Sequence, residues 1–236
     1  MFVLLREHAA NIANVLTLRV NPSVWFGVCD WLMVAASVGK VELNTSKFSQ
    51  SYGYCSSADE YDDAREELLR RFVQEYSVFS FVWGALEAAI SLIKPARHAV
   101  RSKRGKIRDA AYYLRHHFRD RQEIVGLSQE VGLFSTAARA CLGSAAVDAR
   151  LSEVGEFGGA GVGLYAVYEL RNQFAHGSLE FPEPDEENRP ISNHASMVAH
   201  AGRIALIQLQ MLLLLTRHLT IELKPHSEPG HVGSSS

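Results

Sequence analysis

The chain has 236 residues, of which 47% are hydrophobic and 21% are charged, and its formal net charge at pH 7 is -2. This composition excludes an intrinsically disordered chain, which has fewer apolar residues and a larger net charge. The balance of 24 basic against 26 acidic residues excludes a uniformly basic nucleic-acid-binding protein, so any such surface is a local patch.

The three cysteines, Cys29, Cys55 and Cys141, form no CxxC pair, which argues against a thiolate zinc site and a disulfide framework. We therefore expect free thiols in a reducing cytoplasm, with neither a metal nor a cofactor. The first residues lack the ordered regions of a signal peptide, and the apolar stretches at 24–38 and 204–215 are shorter than the ~20 residues of a spanning helix. These features predict a soluble cytoplasmic protein without a membrane partner.

Helical spacing of apolar residues recurs along the chain, which predicts an all-α fold. The first two helices are expected over 2–20 and 23–38, and a long amphipathic helix is expected from an N-cap at Ser56 or Ser57 to Lys94. Later helices are expected over 122–142, 144–154, 162–176 and 194–223. The glycine-rich segment 158–163 is interpreted as a flexible connector, because it matches no phosphate-binding loop. The apolar stretch 204–215 indicates either a central buried helix or a subunit interface.

Ten of the 24 basic residues lie between Lys94 and Arg121. Six arginines of this segment are spaced as on one face of a helix, provided that Gly105 does not interrupt it. They are Arg97, Arg101, Arg104, Arg108, Arg115 and Arg119. Such a stripe can follow a phosphate backbone and is a candidate RNA-binding patch. The alternative is a solvated charged face, or one paired with the acidic run at 59–67.

Glu87 lies at the edge of the apolar face of the long helix. One interpretation is a carboxylate that reaches solvent, since buried acids are rare unless they are paired. The other is a buried acid that orients a basic residue elsewhere in the fold.

The segment 168–177 carries Arg171, Asn172 and His176, followed by Gly177 as a candidate helix-ending residue. On a helix Asn172 and His176 share a face. Arg171 is about 140° round from His176, and its long side chain can swing towards a common ligand near a frayed helix end, or a two-fold axis can bring a second copy opposite. A histidine can take the proton of a ribose 2′-hydroxyl or protonate the leaving 5′-oxygen. An arginine can clamp the phosphate, and an asparagine can orient the histidine. These residues suit metal-independent RNA cleavage.

Two observations show that the spacing of Arg171 and His176 is not by itself sufficient evidence for a catalytic site. Arg189 and His194 have a similar spacing, but they span Pro190 and lack the polar residue after the arginine, so we interpret that pair as coincidence. His176 could also be a histidine that caps or packs at the C-terminal end of a helix, where a cation is favourable.

The Arg171-Asn172 and His176-Gly177 pattern resembles the Arg-x4–6-His signature of the HEPN superfamily (higher eukaryotes and prokaryotes nucleotide-binding), in which a polar residue often follows the arginine. The segment 79–87 looks like the first core helix of that family. The resemblance implies a HEPN-type helical bundle over 58–224. It does not cover residues 1–57, which we expect to be an N-terminal helical extension, and the sequence predicts a flexible tail over 225–236.

The resemblance also implies a function, a metal-independent endoribonuclease of the toxin or antiviral-defence kind. Arg171 and His176 would be catalytic and Asn172 would support them, giving 2′,3′-cyclic phosphate and 5′-hydroxyl ends. The implied partners are RNA, a second copy in a homodimer with a composite cleft, and an antitoxin or other regulatory protein. The alternative function is a non-catalytic helical module that binds a protein partner, a nucleotide or RNA. A DNA-binding regulator is less favoured, because no helix-turn-helix is visible.

Overall fold

The computed structural model describes residues 4–19, 22–45, 47, 53, 55–101, 104–118, 126–154, 158–185, 187, 189 and 193–216. These residues form eight α-helices and contain no β-strand, which confirms the predicted all-α fold class. The helices are α1 (Leu5–Arg19), α2 (Pro22–Ser37), α3 (Ser56–Ile93), α4 (Lys106–Phe118), α5 (Leu127–Leu142), α6 (Ser144–Val154), α7 (Gly158–Ala175) and α8 (Asn193–Leu215). The predicted tail at 225–236 lies outside the described residues.

Helix α8 is a central element of the fold and packs against α3, α5 and α7. Every residue from Ile204 to Leu209 is buried, so α8 is surrounded by other helices of its own chain. Of the two interpretations of the stretch 204–215, the central buried helix is the one observed. By length and composition α3 and α8 are each apolar enough to cross a membrane, and in this fold 67% of the apolar window of α8 is buried.

Helices α1 and α2 pair with each other, and they also pack on α8 and α3 respectively. Helix α1 buries apolar side chains at three- and four-residue steps, including Leu5, Ile12 and Leu16. Trp31 of α2 lies against Gly84 of α3, where a Cβ atom would come within 2.9 Å of the indole ring. The predicted extension 1–57 therefore contributes to the same hydrophobic core as the rest of the chain.

Helix α3 begins and ends through its backbone conformation. Its N-cap is Cys55, which makes no side-chain cap hydrogen bond, so the prediction of a cap at Ser56 or Ser57 is wrong. The carbonyl of Cys55 already accepts the N–H groups of Ala58 and Asp59, which places both serines inside the first turn. The helix ends before Lys94, whose φ of 51° is left-handed and which precedes Pro95.

The glycine-rich segment 158–163 forms the first turns of α7, and its interpretation as a flexible connector is wrong. The reason is tertiary packing of α7 against α8 and α5 at Gly163. A Cβ atom on Gly163 would lie 3.0 Å from Ile204 Cγ2, 3.2 Å from Gln208 Nε2 and 3.2 Å from Val131 Cγ2. Gln208 is itself held by a 2.7 Å hydrogen bond from Nε2 to the carbonyl of Ala160.

We expect Gly163→Ala to lower the free energy of unfolding by about 1–2 kcal/mol, because overpacking against fixed neighbours outweighs the gain in helix propensity. The matched control is Gly132→Ala in α5, where a Cβ atom would meet no atom within 4 Å. That control should raise stability by up to about 1 kcal/mol. Urea denaturation measures the change in the free energy of unfolding of each variant. A stabilising Gly163→Ala would contradict the close packing of α7.

Candidate active site

The C-terminal half of α7 is fixed against α3 by aromatic packing. The ring of Phe174 lies 4.4 Å from that of Tyr76 and 5.7 Å from that of Phe72, measured between centroids. One turn earlier, Leu170 is buried. The residues around Phe174, including the three motif residues, therefore have a defined position relative to the core.

The last carbonyl groups of α7 are satisfied by the backbone that follows the helix. Gly177, with a φ of 64°, donates its N–H to the carbonyl of Phe174 at 3.1 Å, as expected for a glycine that ends a helix. Ser178 donates both its N–H, at 2.9 Å, and its hydroxyl, at 3.2 Å, to the carbonyl of Gln173. The imidazole of His176 takes no part in this cap and is exposed.

Arg171 and Asn172 lie in the last turns of α7, and His176 is the first residue after the helix. Arg171 and Asn172 are half-buried. The backbone carbonyl of Asn172 accepts a hydrogen bond from the backbone N–H of His176 at 3.0 Å. Within the described part of the chain, the structure records no hydrogen bond or ion pair of the Arg171, Asn172 or His176 side chains. The backbone hydrogen bond from His176 to Asn172 continues the helical pattern, so their four-residue spacing still favours one face. The exposed His176 is accessible to a ligand.

Two further residues gather near this end of α7, and sequence reasoning assigned neither to the site. Phe181, in the loop after α7, is 61% exposed and packs edge-on against Phe72 with centroids 6.0 Å apart. His194, in the first turn of α8, packs on the same Phe72 ring at 6.3 Å. Burial lowers the pKa of His194 and so favours a neutral imidazole. The charge of Glu180 acts in the opposite direction. Only the packing of α3, α7 and α8 around Phe72 brings them together.

The loop between α7 and α8 is tied down by ion pairs and hydrogen bonds. Glu183 accepts hydrogen bonds from Tyr61 and Arg65 of α3. Asp185 accepts the backbone N–H of Arg189 at 2.7 Å and its side-chain Nε at 2.8 Å. The backbone hydrogen bond from Arg189 is the main reason that the pKa of the Asp185 carboxyl is lowered. The second Arg/His pair therefore differs from the motif, because the Arg189 guanidinium is already paired.

The expected arginine stripe is not one helix face. Helix α4 begins at Lys106, so Gly105 marks the break that the spacing allowed for. Arg97 and Arg101 are exposed on the segment before α4, and Arg104 donates to the carbonyls of His98 and Ala99 there. Of the six arginines, Arg108 and Arg115 lie on α4, whereas Arg119 lies outside the described residues.

Helix α4 packs against α7, and Arg108 makes a specific contact between them. Its Nη2 donates to the Tyr165 hydroxyl at 3.0 Å, and its guanidinium lies 5.5 Å from the centroid of the same ring. Tyr165 precedes His176 by eleven residues, or about 16 Å along the helix. Arg108 therefore meets α7 near the middle of the helix, at Tyr165, rather than at the motif.

Glu87 is half-buried on α3, and its backbone carbonyl accepts the hydroxyl of Ser91 at 2.9 Å. The structure records no ion pair of its carboxylate with a described residue. The described part of the chain therefore shows no basic residue that Glu87 orients.

A second polar cluster lies between α5 and α8, and sequence reasoning missed it. Glu130 is 3% exposed, and its Oε2 lies 2.7 Å from Nδ1 of His200 and 3.9 Å from Nη1 of Arg203. On the α3 side, burial raises the pKa of Glu75, whereas the charges of Arg6 and Arg203 act to lower it. The described residues contain no group of three or more metal-ligating side chains.

Comparison with family models, with curated proteins and with solved structures gives no match to this chain. The resemblance to the HEPN superfamily thus depends on the motif and on the order of the helices.

Proposed function

We propose that the protein is a metal-independent endoribonuclease of the HEPN type, which acts on RNA at the C-terminal end of α7. The observation that carries the proposal is the exposed His176 at the end of α7, four residues after Asn172 and five after Arg171. Gly177 and Ser178 complete the hydrogen bonding of the helix end, so His176 is not needed as a hydrogen-bonding cap. Its exposure also excludes the interpretation as a core histidine.

The proposed chemistry is transesterification within the RNA strand. His176 as general base takes the proton of a ribose 2′-hydroxyl, and the 2′-oxygen attacks the adjacent phosphorus. The bond from phosphorus to the 5′-oxygen breaks, water protonates the leaving oxygen, and a 2′,3′-cyclic phosphate remains. Arg171 stabilises the negative charge that builds up on the phosphate oxygens, and Asn172 orients the phosphate or the imidazole.

The surroundings of the motif support a single-stranded substrate. An exposed aromatic ring such as Phe181 provides a surface on which an unpaired base can stack. The exposed Arg97 and Arg101 and the α4 arginines can hold more distant phosphates of a long strand, since Arg108 contacts Tyr165 in the middle of α7. In a cell, such an activity suits a toxin or an antiviral-defence nuclease controlled by an antitoxin or other regulatory protein.

The alternative of a non-catalytic module loses the feature that favoured it. That feature was the apolar stretch 204–215 as a surface for a partner. Helix α8 buries this stretch inside its own chain, so it is not available to another protein.

The test is incubation of total RNA with purified protein in excess EDTA, followed by analysis of the fragment ends. We expect cleavage that yields 2′,3′-cyclic phosphate and 5′-hydroxyl ends. The Arg171→Ala/His176→Ala double variant is the inactive control. Cleavage that needs added Mg²⁺, or that leaves 3′-hydroxyl and 5′-phosphate ends, would exclude the proposed mechanism. RNA binding without cleavage would instead identify the non-catalytic module.

A further inference from the structure

We propose that Tyr61 and Arg65, near the start of α3, are positioning residues of the RNA site. Through the carboxylate of Glu183 they hold the ring of Phe181 in the place where an unpaired base of the substrate stacks on it. We refer to Tyr61, Arg65 and Glu183 as the latch and to the Phe181 ring as the stacking subsite. The inference rests on the proposed ribonuclease function, because it assigns a subsite for the same substrate.

The latch connects the loop after α7 to α3 through one carboxylate. Nε of Arg65 donates to both oxygens of Glu183, at 3.1 and 3.0 Å, and the hydroxyl of Tyr61 donates to Oε2. Tyr61 and Arg65 are four residues apart, so they lie on the same face of α3. The hydrogen bond to the carboxylate raises the pKa of Tyr61, because it stabilises the protonated hydroxyl. Two donors on one helix face therefore determine the position of Glu183.

Phe181 lies between anchored residues of this loop. On one side Leu179 packs against the core, and on the other Pro182 is buried directly before Glu183. The ring of Phe181 itself packs on Phe72 at an interplanar angle of 84°. These contacts restrict the Phe181 ring before RNA arrives, so little conformational entropy is lost when a base binds to it.

At least one face of the Phe181 ring is free of Phe72. In an edge-to-face pair each ring covers at most one face of the other, and Phe181 is 61% exposed. Stacking on an aromatic side chain tolerates every base, because each base has a π-face. The stacking subsite therefore suits an unpaired base of a single strand, without sequence preference.

The stacking subsite lies near the motif at the end of α7. The ring centroid of Phe72 is 6.0 Å from that of Phe181 and 5.7 Å from that of Phe174. His176 follows Phe174 by two residues and precedes Phe181 by five, a length of chain that spans at most ~18 Å. A base on Phe181 and a phosphate at His176 can therefore belong to the same short stretch of one strand.

The latch also compensates negative charge next to the site. The loop 178–193 contains five acidic residues, which repel a phosphate backbone. Arg65 pairs with Glu183 at 3.0 Å, and Arg189 pairs with Asp185 at 2.8 Å. Because the side chains of Arg65 and Glu183 are 39% and 49% exposed, their ion pair adds little to the stability of the whole fold. The latch can therefore be removed while the protein stays folded.

The first test measures binding to an RNA that cannot be cleaved. The probe is a short fluorescein-labelled single-stranded RNA with 2′-O-methyl groups in place of the attacking 2′-hydroxyls, and the readout is fluorescence anisotropy. We expect Phe181→Ala to raise the dissociation constant at least about fivefold, equivalent to ~1 kcal/mol, the lower end of the range for base stacking. Phe181→Trp, which keeps a stacking ring, should bind within about twofold of wild type.

Latch variants extend this measurement. Arg65→Glu should weaken binding at least about threefold, because it releases the loop and leaves Glu183 uncompensated, and Tyr61→Phe should have a smaller effect in the same direction. The exchanged pair Arg65→Glu/Glu183→Arg should restore the affinity to within about twofold. In cleavage of ordinary RNA, the same variants should raise KM and leave kcat within about twofold, since they bind the substrate without contacting the reacting atoms.

The matched control is Arg139→Glu on α5, which makes the same change in charge at a similarly exposed ion pair. Arg139 is 40% exposed and lies 2.9 Å from Asp148. It belongs to α5, whose partner in this ion pair is α6 rather than the loop after α7. The control should change the dissociation constant by less than about twofold.

A spin label reports on the latch in the absence of RNA. In a Cys55→Ser background, which removes the exposed native thiol, a nitroxide on Glu180→Cys should be restricted in motion. It should become mobile in Arg65→Glu and be restricted again in the exchanged pair. Burial raises the pKa of Cys141 to about 11, so this thiol reacts slowly with the label at neutral pH.

The outcomes separate the subsite from the ribonuclease function. RNA cleavage by the wild type, with binding unaffected by Phe181→Ala and Arg65→Glu, would overturn the subsite and leave the proposed ribonuclease intact. Binding that depends on both residues, in a protein that cleaves no RNA, would support the subsite and contradict the ribonuclease. A label at position 180 that is equally mobile with and without the latch would overturn the positioning role of Tyr61 and Arg65.

Discussion

The His176→Ala variant is expected to lose RNA cleavage by about 100- to 10,000-fold, the contribution that general acid–base catalysis makes to an enzymatic rate. The exposed imidazole forms no recorded hydrogen bond to a described residue, so its removal should leave the melting temperature within about 2 °C of wild type. Activity that falls while the fold persists distinguishes a catalytic histidine from a structural one. The measurement is the initial rate of cleavage of a labelled RNA in EDTA, together with a thermal melt.

Matched variants test whether the loss is specific to the motif. His116→Ala removes an exposed histidine of α4, and Arg189→Ala removes an arginine that is already paired with Asp185. Both should cleave RNA within about threefold of wild type, since exposed residues outside a site change little. Arg171→Ala should lose about 100- to 1,000-fold, as expected for a donor that stabilises charge in the transition state. Full cleavage by purified His176→Ala would remove this residue from the mechanism.

The Glu130→Ala variant is expected to lower the free energy of unfolding by about 3 kcal/mol, which is the largest effect on stability that we predict. Glu130 is 3% exposed, and its loss leaves the adjacent His200 and Arg203 without their acceptor in the interior. The expected loss lies at the low end of the range for a buried pair, because the Arg203 side chain is 32% exposed. Urea denaturation measures the change.

Two control variants accompany Glu130→Ala, one that keeps the shape of the side chain without its charge and one at an exposed acid. Glu130→Gln keeps the size and one acceptor oxygen for His200, so it should cost about 1 kcal/mol. Glu7→Ala, at an exposed acid of α1, should change stability by less than about 0.5 kcal/mol. A loss below 1 kcal/mol in Glu130→Ala would mean that the cluster between α5 and α8 contributes little to the fold.

Local sequence signals were sufficient for most helices. The period of apolar residues predicted α3, and the Lys94-Pro95 pair predicted its end. Gly177 predicted the end of α7, because its left-handed conformation is one that glycine adopts without strain. The motif residues could be proposed from the resemblance of Arg171-Asn172 and His176-Gly177 to a known signature, whereas spacing alone also fits Arg189 and His194.

Where neighbours from distant parts of the chain decide the outcome, local signals failed. The glycines at 158–163 read as a connector because glycine disfavours helices, yet Gly163 is in a helix that packs closely on Ile204 and Gln208. Glu130 and His200 are 70 residues apart and show no shared pattern in the sequence. Likewise, Phe181 and His194 join the motif only because both pack on Phe72.

The sequence by itself thus determined the all-α class and the places of the long helices, and it put Arg171, Asn172 and His176 at the end of a helix. These follow from interactions between residues three or four apart, which a helix forms whatever surrounds it. The tertiary structure decided that α8 is buried in its own chain while α2 keeps an apolar face exposed. Both helices are apolar, and the difference depends on which other helices pack around each of them.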